Sequence, residues 1–106
     1  MPRHLVEQAT NFLKNNSAAT PKEKLAIGGK LLWSATVVSK DWTPELLNQA
    51  VAAYKFLLMN GNVKKTVAQM DEKAVSRFLK QFTKDVTQLA TDIEQARSQQ
   101  LRRGKS

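Results

Sequence analysis

The chain contains no cysteine and a single histidine, which removes several chemistries at once. Without cysteine there is no disulfide, no thiolate zinc site and no thiol nucleophile. His4 has no second imidazole or thiolate near it, so it reads as a surface or capping residue rather than a metal ligand. Long hydrophobic runs are also missing. The most apolar window, Leu25 to Val38, is interrupted by Gly28-Gly29-Lys30 and is too short to cross a bilayer. Near the start, Glu7, Gln8 and Asn11 break up the apolar positions, so no secretory signal core reads there. The expectation is a cytoplasmic protein with no membrane partner.

Acidic residues are scarce too. Nine Asp+Glu face seventeen Lys+Arg, leaving a formal charge of +8 and a sequence pI near 10.1. In a small domain that balance favours polyanionic partners, either nucleic acid or an acidic protein surface. The few carboxylates are scattered, and Asp71 with Glu72, or Asp92 with Glu94, do not share a helical face. Ser34, Ser76 and Thr66 have no histidine at a spacing that suggests a nucleophile–base pair. Gly28-Gly29-Lys30 is not a phosphate loop, because Lys24 and Leu31 stand where that motif needs glycine and Ser or Thr, and no strand precedes it. The sequence therefore assigns no catalytic residue, no metal ligand and no cofactor, and the protein reads as non-catalytic.

What is present is helical. A chain of 106 residues forms one domain and buries roughly two-thirds of its unfolded surface. Its 42% hydrophobic and 25% charged residues are ordinary for a globular protein, and no repeat or low-complexity linker divides it. The first helix is expected over residues 2–14, with Leu5, Ala9 and Phe12 as its stripe, flanked by Val6 and Leu13, and Asn15-Asn16-Ser17 as its stop. Thr20-Pro21-Lys22-Glu23 is a capping box with proline at the first helical position. After it, Ile27, Leu31 and Val38 mark a stripe joined by Leu25, Leu32 and Ala35. The interior pair Gly28-Gly29, which costs about 1 kcal/mol per glycine relative to alanine, calls for a close helix approach or a kink. Thr43-Pro44-Glu45 opens a third helix in which apolar residues cover more than half the circumference, ending at Asn60-Gly61. Trp42 is placed to staple its first turn, and Tyr54 and Trp33 read as core aromatics. A short fourth helix follows over residues 63–70.

The last helix, over residues 71–102, organises the rest. Val75, Leu79, Phe82, Val86, Leu89, Ile93 and Ala96 follow at alternating steps of four and three, one continuous seam widened by Phe78 and Ala90. Asp71 is its expected N-cap. Lys73, Arg77, Lys80 and Lys84 share another face, at offsets of four, seven and eleven. The fold class is all-α, a four- to five-helix bundle with a long amphipathic C-terminal helix. Residues 1–100 form the domain and 101–106 a basic, disordered tail.

A thirty-residue helix is about 45 Å long, longer than a compact bundle of this size. Either it breaks near Thr83 or Thr87, or its second half needs a partner. In the second case Leu89, Ile93 and Ala96 are a homodimer seam or a docking surface.

The basic residues concentrate between Lys55 and Lys84, seven against two acidic, a local +5. Lys64 and Lys65 on the short helix and Lys73, Arg77, Lys80 and Lys84 on the long one are the candidate nucleic-acid contacts. The layout of residues 62–82 loosely resembles a helix-turn-helix, with Ala68 facing its partner helix and Lys73, Ser76, Arg77 and Lys80 turned to a groove. It departs from that pattern in lacking a turn glycine and in carrying Asp71-Glu72 at the turn. Two functions fit: a regulatory or architectural nucleic-acid-binding protein, or an adaptor or inhibitor docking an acidic protein through the long helix. A third reading is bland, with the same cations as only the solvated side of an amphipathic helix.

Overall fold

A computed structural model describes residues 3–39 and 42–104, with side chains over 4–39 and 42–99. Five α-helices follow one another: α1 (Arg3–Asn15), α2 (Pro21–Val38), α3 (Pro44–Tyr54), α4 (Val63–Gln69) and α5 (Glu72–Gly104). A 3-10 helix, Lys55–Leu58, joins α3 to the turn before α4. The architecture is the all-α bundle that the periodicity predicts, and the last helix is by far the longest. Pro2, Lys105 and Ser106 lie outside the described residues, so the start of α1 and the end of the tail are not placed. Backbone helix continues to Gly104, past residue 100 where the sequence suggested a tail.

Four of the helices start on a side-chain oxygen. Thr20 Oγ1 accepts from Glu23 N at 3.1 Å while Thr20 N donates to Glu23 Oε1 at 3.2 Å, completing the capping box. Thr43 accepts from Leu46 N, Asn62 from Lys65 N and Asp71 from Ala74 N. Each such cap satisfies an amide that the helix itself cannot, worth about 1 kcal/mol.

The core lies along α5, whose Val75, Phe82, Val86, Leu89 and Ile93 are all buried. α1 runs antiparallel beside it: Leu13 shares a groove with Leu79 and Thr83, and Thr10 shares one with Thr87 and Ala90. α3 with its 3-10 extension does the same, Gln49 reaching Asp92 at 2.9 Å and Phe56 meeting Phe78 at 5.2 Å between ring centroids. α2 closes the bundle against α1, α3, α4 and α5.

Several sequence expectations are corrected here. The buried face of α1 is Val6, Ala9 and Leu13, with Leu5 and Phe12 half-buried at its edge. The buried face of α2 is Leu25, Gly28, Gly29, Leu32 and Ala35, while Ile27 and Val38 are 42% and 72% exposed. Glycines carry no hydrophobic signal, so a stripe centred on them is invisible to periodicity. Their purpose is close approach: a Cβ on Gly29 would stand 2.8 Å from Leu57 Cδ1 and 3.0 Å from Val63 Cγ1. Trp33 lies on the outward side of α2, 40% exposed, whereas Tyr54 is buried and hydrogen-bonded to Thr36 at 3.0 Å. Trp42 turns toward α2, its Nε1–H donating to the Ala35 carbonyl at 3.1 Å. The third helix ends as α-helix at Tyr54, and the tighter 3-10 winding sets Leu57 beneath Gly29 and Phe56 against Phe78.

The long helix does not break, and its apolar seam is covered as far as Ala96. Thr83, Thr87 and Thr91 turn their hydroxyls onto the carbonyls four residues back, keeping them within the helix's own hydrogen bonding. Leu89 and Ile93 are 0% and 1% exposed within this single chain. The antiparallel runs of α1 and α3 supply the cover that the length argument assigned to a partner.

Candidate nucleic-acid interface

The cationic face of α5 is set by helix geometry. At 100° per residue, Lys73, Arg77, Lys80 and Lys84 cluster opposite Val75, Phe82 and Val86. The core holds one side of the helix, so this row faces away from the protein, and all four cations are exposed. Two shallow grooves flank the row. One is lined by Glu72, Lys73, Ser76, Arg77 and Lys80, the other by Arg77, Lys80 and Lys84 with Leu13, Leu79 and Thr83.

None of the four cations has a carboxylate within ion-pair distance among the described residues. Three of the four carboxylates nearest in sequence, Glu72 being the exception, accept hydrogen bonds from other groups. Asp71 is spent on the α5 cap, Asp85 accepts from Gln81 at 2.9 Å, and Asp92 accepts from Gln49 and Gln88 at 2.9 and 3.0 Å. Glu23 belongs to the α2 capping box. No Asp or Glu of α5 stands three or four residues from a cation of the row, so helix spacing leaves the row unpaired. Glu72 lines the same groove as Lys73 and Arg77 and ends the cationic run at the helix N-terminus.

Folding adds a residue that sequence spacing did not single out. Lys22, in the first turn of α2, lies across a small groove from Glu72 and Ser76. Nothing local signalled it, because more than fifty positions separate it from Ser76 along the chain. Lys64 and Lys65 are exposed on α4, which packs chiefly on α2 and the 3-10 helix rather than along α5. They sit on a different element from the row and are peripheral to it. The same packing corrects the helix-turn-helix resemblance: Ala68, expected to face a partner helix, is exposed.

The seam residues Leu89, Ile93 and Ala96 are corrected as well. The first two belong to the chain's own core and Ala96 packs half-buried against it, so they form no apolar surface for a second chain.

His4 is exposed on α1. Thr66 is buried, with its hydroxyl shared between the Asn62 carbonyl at 3.0 Å and the Asn60 amide at 3.4 Å, a structural role at the α4 start. The groove between α1 and α5 is threonine-lined, yet Thr10, Thr87 and Thr91 all donate to their own helices. Among the described residues no three His, Asp or Glu side chains gather to hold a metal ion, and no helix is long and apolar enough to cross a membrane.

The fold and this face define a small all-α bundle presenting a cationic helix. No family model, no curated protein and no solved structure matches the chain.

Proposed function

We propose that the protein is a small, non-catalytic nucleic-acid-binding protein, regulatory or architectural, that engages its ligand through Lys73, Arg77, Lys80 and Lys84 on α5. The observation that carries this reading is the unpaired state of the row, with no carboxylate three or four residues from any of its cations. A merely solvated helix face is served as well by mixed charge. A row of free cations on a rigid element instead releases counterions when it meets phosphates, giving salt-sensitive affinity. Lys22, Lys64 and Lys65 add to the positive field around the row without supplying contacts of their own.

The test is titration of labelled nucleic acid at low and near-physiological salt, with the wild type and with Arg77→Glu combined with Lys80→Glu. Both positions are exposed and face away from the core, so far-UV circular dichroism should be unchanged in the double variant. Wild-type binding should fall steeply with salt, and the variant should lose it by tenfold or more at the lower salt. Equal binding by wild type and variant would remove this face from the function. Absence of binding even at low salt would retire the nucleic-acid reading altogether.

A further inference from the structure

We infer that the ligand of the α5 row is a double-helical nucleic acid held by its phosphate backbone, and not a single strand held through its bases; this rests on the nucleic-acid reading above. Proteins that grip single strands interleave cations with exposed aromatic rings, because every base has a face to stack. Here no aromatic ring lies among the cations of the row. The chain has two Trp, one Tyr and four Phe. Phe82 and Tyr54 are buried, and Phe12, Trp42 and Phe78 are half-buried. Only Trp33 and Phe56 are substantially exposed. Trp33 lies on the outward side of α2, and Phe56 rests on Phe78, which belongs to the core side of α5. No ring lines either groove beside the row.

The other side chains lining the two grooves, Leu13, Glu72, Ser76, Leu79, Gln81 and Thr83, offer no stacking platform. What the face presents is charge at fixed intervals. From Lys73 to Lys84 the row spans about 16 Å at the helical rise. It sits on an uninterrupted helix whose opposite side is anchored in the core. Such a row matches a stiff ligand of high, regular charge density, and a duplex carries one charge per about 1.7 Å of its axis. Three of the four cations are lysines, which act on phosphates as point charges, whereas bidentate reading of guanine relies chiefly on arginine. The expected binding is therefore indifferent to base sequence.

The experiment titrates the full chain with a short DNA duplex, an RNA duplex of the same sequence, each separated strand, and poly-L-glutamate, between about 50 and 200 mM salt. A duplex should bind more tightly than its strands, with a slope of log affinity against log salt of about −3.6 for four phosphate contacts. Arg77→Gln with Lys80→Gln should bring that slope to about −1.8, while Lys80→Arg should leave it unchanged. Tighter binding to one of the two duplexes would support the inference and identify the duplex form. Equal or tighter binding to single strands, or a tenfold change on shuffling the duplex sequence, would overturn the inference while leaving the nucleic-acid reading in place. Binding to poly-L-glutamate alone, or to none of these, would overturn both.

Discussion

Gly28 and Gly29 show how much a residue's meaning depends on its neighbours. Both cost helix propensity, yet they are not equivalent. A Cβ on Gly28 would meet Leu13 first, with Cδ2 at 3.0 Å, a buried side chain in the last turn of α1. On Gly29 it would meet Leu57 and Val63 together, both buried, so neither can yield without displacing the other. Gly29→Ala should therefore destabilise the protein by about 1–3 kcal/mol through overpacking, outweighing the gain of about 1 kcal/mol in propensity. Gly28→Ala should be closer to neutral. Urea denaturation of the two variants separates them, and equal midpoints would show that the α2 approach to Leu57 and Val63 is looser than its geometry indicates.

Among the elements, α2 and α5 present the two opposite cases of helix amphipathicity. α5 has a clean seam and a clean polar face, and the seam read from its sequence is the one that is buried. α2 is apolar almost all round, so its pattern does not say which side faces inward. Its outward side carries Ile27, Trp33, Val37 and Val38, its inward side Leu25, Leu32 and two glycines. Leu32→Ala should cost about 2–5 kcal/mol as a buried cavity, whereas Val38→Ser should change stability by less than about 0.5 kcal/mol. Comparable losses for the two, measured by thermal or chemical unfolding, would mean that the outward face is covered in solution.

For the molecule as a whole, the question raised by the length of α5 is what covers its second half. α1 and α3 do so from within the chain, which makes Leu89 and Ile93 determinants of folding rather than of assembly. Leu89→Gln combined with Ile93→Gln should lower stability by several kcal/mol, since both changes bury polar groups in an apolar core. The unfolding midpoint of the wild type should be independent of protein concentration. A midpoint that rises with concentration would instead couple the fold to association.

The features legible in the sequence are the local ones. Thr20, Thr43 and Asp71 cap helices through atoms three residues away, so composition and spacing sufficed to place those starts. The steps of three and four in α5 determined both its buried seam and the cationic row opposite, because one helix geometry generates both faces. The charge of the row was likewise visible as +8 overall and +5 between Lys55 and Lys84. Tertiary structure alone decided the rest. It chose the glycine-centred face of α2, because packing there depends on the absence of side chains. It brought α1 and α3 antiparallel over Leu89 and Ile93, which no single-helix length argument contains. It also joined Gln49 to Asp92 across forty-three residues. Caps and periodicity are short-range and write themselves into the chain. Cover, close approach and cross-helix hydrogen bonds are long-range, and they exist only once the helices have docked.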